Sequence, residues 1–253
     1  MNNDELLRYS RHILLPQLDV EGQEAIAGAH VLIVGLGGLG SPVALYLAAS
    51  GVGRLTLVDN DVVEVSNLQR QIAHDQTTVG QSKVASAAAR IAEMNAAVSV
   101  EAIQARADAA WLKATAADVS LIVDCSDNAA VRYAINDHCL DHDIPWVSGA
   151  AIAFSGQVAV FDPRVPGSPC YRCLYPALSD EALSCAESGI LSPITGLIGS
   201  TQAVETLRLL TGFGTSQTGW LNTYDGLSGE WRRWRLNQRA GCDCQERKSV
   251  TGK

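Results

Sequence analysis

The feature that most constrains the fold is an apolar stretch followed at once by closely spaced glycines. The apolar stretch is His30-Val-Leu-Ile-Val-Gly35, and the turn after it reads Gly35-Leu-Gly-Gly-Leu-Gly40-Ser41-Pro42. Glycine lets a chain turn tightly and lets phosphate oxygens approach backbone N–H groups. Ser41 is a favourable N-cap and Pro42 a favourable first helical residue, so we expect a helix to begin here with its positive end at the turn. The segment therefore predicts a strand, a nucleotide-binding turn and a helix.

Strand-like and helical segments alternate over the first two-thirds of the chain. We predict helices at residues 4–15, 42–50, 82–95 and 108–116, and strands at 30–35, 54–59, 98–103, 119–124, 144–148 and 157–162. Several of these strands are unbroken apolar runs, which are typical of a parallel sheet covered by helices on both faces. Further along, an apolar helix at 194–210 is expected to pack inside, and residues 220–224 and 230–236 flank Asp225-Gly226 as an antiparallel hairpin. The prediction is an α/β, Rossmann-like, mostly parallel sheet continued by antiparallel strands.

Composition and charge exclude several classes of function. The chain has 253 residues, and 19 Lys and Arg against 27 Asp and Glu give a net charge of −8, which argues against a broad nucleic-acid-binding face. The basic run Trp231-Arg-Arg-Trp-Arg235 is expected to be a solvated strand face with two packed tryptophans. The chain has neither an apolar run long enough for a membrane span nor a signal-like start. We therefore expect a cytoplasmic protein that binds no membrane and keeps its seven cysteines reduced.

Charged residues after the strands indicate which nucleotide could bind. Asp59 closes the second strand about 20 residues after the glycines, where an acid receives a ribose hydroxyl in dinucleotide folds. Arg70 and Lys83 could neutralise a triphosphate, although either could equally be a solvated surface residue. Asp127 follows another strand, so it would face the same crevice, where a carboxylate suits Mg²⁺. The alternative is that Asp124 or Asp127 merely caps the following helix.

Two short cysteine clusters suggest a metal centre. Cys170 and Cys173 form one cluster, and Cys242 and Cys244 form the other. Four thiolates can close a structural tetrahedral zinc site, which would tie the C-terminal region to the rest of the chain. The alternative is two unconnected pairs of reduced thiols. Cys125 and Cys139 fall within apolar patterns and are expected in the core.

Taken together, these motifs resemble one family. In order along the chain they are Arg8-Tyr-Ser-Arg11-His-Ile-Leu-Leu15, Gly35-x-Gly-Gly-x-Gly40, Asp59, Ser66-Asn-Leu-Gln-Arg70-Gln71, Lys83, Asp124-Cys-Ser-Asp127-Asn128 and Cys170-x-x-Cys173. Over about residues 1–244 the chain resembles the MoeB/ThiF/HesA adenylyltransferases, the bacterial relatives of ubiquitin-activating enzymes. One departure is the second cysteine pair, which is Cys-x-Cys where the family has Cys-x-x-Cys.

The resemblance implies that the C-terminal glycine carboxylate of a small β-grasp sulfur-carrier protein, ending in Gly-Gly, attacks the α-phosphorus of ATP. It implies a single adenylation domain over residues 1–248 with a tail at 249–253. The nucleotide-binding half would span about 1–150, and the carrier-binding and zinc half about 151–244. ATP, Mg²⁺ and Zn²⁺ are the implied cofactors. A homodimer and a sulfurtransferase partner are also implied.

The resemblance also assigns residues to roles. The implied ATP-binding residues are Gly38, Asp59, Ser66, Asn67, Leu68, Gln69, Arg70, Lys83, Asp127 and Asn128. The implied catalytic residues are Arg11, Arg70, Lys83 and Asp127, with Asp127 positioning Mg²⁺ and Arg11 reaching into the site of the other subunit. Cys170, Cys173, Cys242 and Cys244 would bind zinc. Cys185 matches a family loop cysteine that takes part in persulfide chemistry in the thiamine branch, but it could equally be a loop thiol with no role in adenylation.

The branch of the family and the class of function leave alternatives. The segments 147–152 and 79–81 look more like the branch that serves molybdenum cofactor biosynthesis, by activating the small subunit of molybdopterin synthase. Arg8-Tyr-Ser-Arg11 and Cys170-Tyr-Arg-Cys-Leu-Tyr175 equally suit the thiamine branch. Outside the family, an NAD-dependent oxidoreductase would explain the glycines and Asp59 but leaves Arg70, Lys83 and Asp127 without a common purpose. An inactive scaffold would leave the whole charged set unexplained.

Overall fold

The described residues of the chain form an eight-stranded sheet. The computed structural model describes residues 1–116, 118–177 and 189–245. The strands are β1 His30–Val34, β2 Arg54–Val58, β3 Ser99–Ile103, β4 Leu121–Asp124, β5 Trp146–Ile152, β6 Ser155–Phe161, β7 Trp220–Asp225 and β8 Glu230–Arg235. Their order across the sheet is β3-β2-β1-β4-β5-β6-β7-β8. Pairing is parallel from β3 to β5 and antiparallel from β5 to β8. The predicted fold class is confirmed.

Helices cover both faces of this sheet. They are α1 Asn3–Arg8, α2 Ser10–Ile13, α3 Asp19–Gly28, α4 Gly40–Ala49, α5 Lys83–Met94, α6 Ala109–Thr115, α7 Ala129–His142, α8 Tyr171–Leu174 and α9 Ser192–Thr211. Alternate residues of β1 point to opposite faces, so Val31 and Ile33 belong to one apolar core and Leu32 and Val34 to another. The first core is completed by α3, α4, α5 and α9, and the second by α6, α7 and α8. Burial of β1 on both faces explains why its sequence is a continuous apolar run.

The N-terminal region differs from the prediction. The single helix expected at 4–15 is broken at Tyr9 into α1 and α2. Tyr9 is buried, and its hydroxyl accepts a hydrogen bond from the Asn95 side-chain amide at 2.9 Å. Holding this ring in the core bends the chain at Tyr9. Helix α3 was not predicted, because only Gly22, Gln23 and Ile26 of its ten residues are buried and no apolar stripe marks it.

The start of α4 and the face of β8 are two further corrections. Helix α4 begins at Gly40 after Leu39, and no side chain caps it, so the expected Ser41 cap is wrong. The Ser41 N–H donates to the Gly37 carbonyl at 3.0 Å, which places Ser41 inside the first turn. Trp231 and Trp234 are 46% and 52% exposed rather than buried, because β8 lies at the edge of the sheet, although the Trp231 ring packs 5.1 Å from the ring of Tyr224 on β7. None of the helices in the described part of the chain is long and apolar enough to cross a membrane.

Candidate active site and metal centre

A large cavity opens where the parallel strands end. Its volume is about 1180 Å³, and residues following β1, β2 and β4 line it. This is the edge at which open α/β sheets bind ligands. The cavity continues onto the antiparallel strands, where Gln157, Arg232 and Trp234 form part of its wall. It is therefore one continuous space that runs from the glycine turn to the antiparallel strands.

The glycine turn is shaped by its backbone neighbours. Gly35 has φ +91°, and a Cβ there would lie 2.8 Å from the Cys125 carbonyl oxygen, so the turn passes directly over the end of β4. A Cβ on Gly38 would lie 2.9 Å from Cγ2 of Thr195, at the start of α9. Gly38 lines the cavity as expected, and its missing side chain also lets α9 approach the turn. Packing alone thus requires glycine at both positions.

Asp59 and His74 bind the two main-chain polar groups of Leu36 in this turn. The Leu36 N–H donates to Oδ2 of Asp59 at 2.7 Å, while Oδ1 accepts from the Asp61 N–H at 2.8 Å. The Leu36 carbonyl accepts a hydrogen bond from Nε2 of the buried His74 at 3.0 Å, and Nδ1 lies 2.9 Å from the Ser86 hydroxyl. Burial lowers the pKa of His74, so the neutral ring is favoured. His74 was not among the predicted site residues, since only its contact with Leu36 reveals its position.

The two predicted cations lie at the cavity in different environments. The Lys83 side chain is only 8% exposed, and Nζ donates to Oδ2 of the exposed Asp61 at 2.8 Å. The alternative of a solvated surface lysine is therefore wrong. Arg70 is half-buried and donates from Nη1 to the Ser66 carbonyl at 3.1 Å. Both side chains line the cavity, so both can meet an anionic ligand there.

The two acids at the end of β4, Asp124 and Asp127, lie in different environments. Asp124 is fully buried: its oxygens accept from Ser126 and Ser148, and Nε of the buried Arg132 lies 3.4 Å from Oδ2. Burial raises the pKa of Asp124, while Arg132 and these hydrogen bonds lower it. Neither acid caps α7, because Oδ1 of Asn128 accepts the Val131 N–H at 3.0 Å. Asp127 is exposed and lines the cavity, so its carboxylate is placed where a hydrated Mg²⁺ could bind beside phosphates.

The four clustered cysteines meet in space. Their sulfur atoms all lie within 4.8 Å of one another, with separations of 3.6 Å for Cys170–Cys242, 3.5 Å for Cys173–Cys244 and 3.9 Å for Cys170–Cys173. A tetrahedral zinc with Zn–S bonds of about 2.3 Å requires sulfur atoms about 3.8 Å apart. The donor set and its spacing therefore fit zinc, and the Cys-x-Cys spacing does not prevent convergence. The alternative of two unconnected pairs is wrong.

Comparison with known proteins identifies the family. The ThiF family profile matches residues 9–245, which is nearly the whole chain. The chain belongs to the ThiF family. The molybdopterin-synthase adenylyltransferase of Escherichia coli (strain K12) is 44% identical over 243 residues, covering 96% of this chain and 97% of that protein. The "adenylyltransferase and sulfurtransferase MOCS3" of Sus scrofa is 46% identical over 260 residues, covering 99% of this chain and 56% of that protein.

Solved structures agree with the ThiF fold. The crystal structure of E. coli MccB with MccA-N7isoASN has a TM-score of 0.82 at 20% identity, covering 96% of this chain and 75% of that chain. The selenomethionine structure of PaaA has a TM-score of 0.79 at 24% identity, covering 94% of this chain and 76% of that chain. At these identities the likeness concerns the fold alone. It confirms that a mixed sheet with helices on both faces is the architecture of the chain.

Most of the residues predicted for the ThiF-type nucleotide site meet at the cavity, but not all. Those lining it are Gly38, Asp59, Asn67, Gln69, Arg70, Lys83, Asp127 and Asn128. Ser66 and Leu68 belong to the same loop but do not line the cavity, and Arg11 is exposed on α2, outside its wall. Cys185 lies outside the described residues. Cys125 and Cys139 are buried, as expected.

Proposed function

We propose that this ThiF-family chain uses ATP to adenylylate the C-terminal glycine carboxylate of a small β-grasp sulfur-carrier protein. The observation that carries the proposal is the convergence of eight predicted residues on one cavity that extends onto the antiparallel strands. The carrier is the small subunit of molybdopterin synthase, a proposal supported by 44% identity over nearly the full length of the E. coli molybdopterin-synthase adenylyltransferase. A sulfurtransferase that acts on the activated carrier is a second proposed partner.

The chemistry needs alignment and charge neutralisation rather than proton transfer. The carrier carboxylate attacks the α-phosphorus of ATP, a new P–O bond forms, the bond to the β-phosphate oxygen breaks, and pyrophosphate leaves. A carboxylate is already ionised at neutral pH, so no general base is required. Charge on the phosphoryl oxygens must be stabilised, and this is the role we propose for Arg70 and Lys83. Burial strengthens the field of the Lys83 ammonium in the cavity.

The remaining residues of the site bind and orient the nucleotide. We assign Asp59 to the ribose, Gly38 to the nucleotide beside the turn, and residues 66–69 to the loop around the phosphates. Asp127 would hold Mg²⁺ at the cavity, with its neighbour Asn128 assigned to the nucleotide, and the metal would supply positive charge to the phosphates. Arg11 is assigned to the site of the partner subunit in a homodimer, in keeping with its exposure on α2.

The two halves of the domain form different sides of the cavity. Residues 1–150 supply the nucleotide side of the cavity, and residues 151–244 supply the wall that receives the carrier tail, so residues 1–248 act as a single adenylation domain. Cys170, Cys173, Cys242 and Cys244 hold a structural zinc in the second half, because their sulfur separations match a closed tetrahedral site. The metal would tie α8 to the segment that follows β8.

The decisive test is carrier-dependent exchange of pyrophosphate into ATP in the presence of Mg²⁺. The purified chain is compared with two carriers, the molybdopterin-synthase small subunit and the thiamine sulfur carrier, and Asp127→Asn serves as the inactive control. We expect exchange with the molybdopterin-synthase small subunit. Exchange with the thiamine sulfur carrier alone would assign the protein to the thiamine branch of the family instead. Absence of exchange with both carriers, from folded protein that binds no ATP, would overturn the adenylyltransferase assignment.

A further inference from the structure

Polar side chains, rather than an apolar face, hold the short helices α1 and α2 on the protein. None of the residues in α1 or α2 is buried. The buried Tyr9 between the two helices accepts a hydrogen bond from Asn95, and Arg8 donates from Nη1 to the Met94 carbonyl at 3.1 Å. A single helical turn has little stability of its own. The position of α2 therefore depends on the hydrogen bonds that its side chains and their neighbours make.

His12 connects α2 to a buried glutamine of α3. Gln23 is fully buried, and its Nε2 donates to the Ser50 carbonyl at the end of α4 at 2.9 Å. A carbonyl can only accept, so Oε1 of the same amide faces His12, whose Nδ1 lies 3.0 Å away and donates to it. Loss of this donor would leave a buried amide oxygen without its partner, which is unfavourable. The contact therefore holds the half-buried His12 ring in one place.

This contact also sets the direction of Arg11, the residue before His12 in α2. Successive side chains of a helix point about 100° apart, so a ring turned toward Gln23 directs Arg11 away from its own chain. Arg11 is exposed and lies outside the cavity wall. Within the described part of the chain, its guanidinium has neither a hydrogen-bond partner nor an ion-pair partner. The charge is thus held in a fixed direction without being used by its own chain.

We propose that His12 is a positioning residue that directs Arg11 toward the ATP site of the partner subunit. The inference rests on the proposed adenylylation by a homodimer, and it adds a residue that touches neither nucleotide nor carrier. A group that meets charge on phosphoryl oxygens must be placed accurately, since a displacement of about 1 Å can lower a rate about a hundredfold. The family resemblance assigns a role to Arg11 and none to His12.

The first test compares three variants by pyrophosphate exchange, with Mg²⁺ and the carrier that supports exchange in the wild type. His12→Leu keeps much of the side-chain volume but removes the donor, and it should lower exchange at least about tenfold. His12→Asn places an amide N–H where the ring has Nδ1, and it should restore most of the activity. His30→Leu is the matched control, because His30 is a half-buried, hydrogen-bonded histidine at the start of β1, outside the cavity wall. It should lower the thermal midpoint without lowering exchange.

Mixed dimers separate positioning across the interface from damage within one chain. A dimer of a His12→Leu chain and an Asp127→Ala chain has one site that combines an intact Asp127 with a correctly directed Arg11, so it should be active at that site. When both substitutions are in one chain and the partner is wild type, neither site has both groups intact, and exchange should stay low. The reverse order of activities would show that His12 acts within its own chain, and equal activities would show no positioning across the interface. Either result would overturn the inference.

The outcomes distinguish this inference from the proposed function. If Arg11→Ala and Asp127→Ala chains complement each other but His12→Leu is as active as the wild type, only the His12 assignment is overturned. If His12→Leu and His30→Leu lose exchange in proportion to their thermal midpoints, His12 is merely structural and its assignment is again overturned. A wild type without exchange would overturn the proposed function itself, and the His12 assignment with it.

Discussion

At the scale of single residues, the glycine turn after β1 is held by hydrogen bonds with two side chains, Asp59 and His74. The Leu36 N–H donates to the Asp59 carboxylate, and the Leu36 carbonyl accepts from the His74 ring. A carbonyl can only accept, so Nε2 of His74 must carry the proton, and the Ser86 hydroxyl can then donate to Nδ1. His74 is therefore a positioning residue that depends on remaining neutral.

The neutral state of His74 predicts a pH dependence of stability. Burial lowers its pKa in the folded protein below the ordinary value of 6.5, so below pH 6.5 the unfolded chain binds a proton that the folded chain resists. The stability contributed by His74 is thus present above pH 6.5 and is lost as the pH falls. Because glutamine does not titrate, the advantage of the wild type over His74→Gln in urea unfolding should shrink from pH 7.5 to pH 5.5. An advantage that stays constant over this range would contradict the prediction.

The sequence predicted those site residues whose chemistry is visible in their type and spacing. Asp59 and Asp127 follow strands, Lys83 begins α5, and all three charged residues line the cavity. His74 could not be chosen in this way, because its role depends on burial and on its contact with the Leu36 carbonyl. Polar uncharged groups become informative only when their hydrogen-bond partners can be counted.

At the scale of elements, α9 packs against the start of α4 at a distance that only glycine allows. A Cβ on Gly199 would lie 2.5 Å from the Leu39 carbonyl oxygen and from Cγ of Pro42. Gly196 is on the same helix, and a Cβ there would meet no atom within 4 Å. A side chain would therefore clash at position 199 but fit at position 196, although the two positions are one helical turn apart.

This contrast predicts opposite effects for the same substitution. Gly199→Ala should destabilise the protein by about 1–3 kcal/mol through overpacking. Gly196→Ala should stabilise it by about 0.5–1 kcal/mol, because alanine loses less backbone entropy in a helix. Denaturant unfolding of both variants measures the difference. Similar free energies for the two would mean that α9 can shift away from α4 at little cost.

The cysteine centre yields a prediction about a second pair of elements, α8 and the segment after β8. Cys173→Ser should lose the metal, from about one zinc per chain, and should lower the thermal midpoint. Cys139→Ala, in the core formed with α7, should lower the midpoint while keeping the metal. Elemental analysis and thermal unfolding of the three proteins provide the readout. A wild type purified without metal and as stable as the zinc-loaded protein would refute a structural zinc.

Elements could be predicted where one residue pattern dominates. The parallel strands are apolar runs, and the predicted hairpin around Asp225-Gly226 is present as β7 and β8. Helix α3 was missed because few of its residues are buried, and the break at Tyr9 arises from a contact with Asn95 far along the chain. Tertiary contacts of this kind leave no local signal.

At the scale of the whole molecule, Arg11 lies outside the cavity of its own chain. Its exposure on α2 agrees with a role in a partner's site, which requires a closed, symmetric dimer. Mixed dimers of an Arg11→Ala chain and an Asp127→Ala chain should therefore recover exchange activity at one of their two sites. Each variant alone should be inactive but dimeric by sedimentation. Mixed dimers as inactive as both parents would exclude action across the interface.

The position of β8 has a consequence for the solubility of the molecule. An edge strand presents unpaired N–H and C=O groups, which can pair with a strand of another molecule. Repeated pairing of this kind makes a protein aggregate. Arg233 and Arg235 put two positive charges on this edge in addition to Arg232, which is paired with Glu230 at 2.9 Å, and the Arg233 guanidinium lies 4.0 Å from the ring centre of Trp220. A second copy aligned along β8 would bring the same charges into register with these, and the repulsion would oppose growth. The arginines thus act as gatekeepers against aggregation, and salt, by screening them, is expected to weaken that protection.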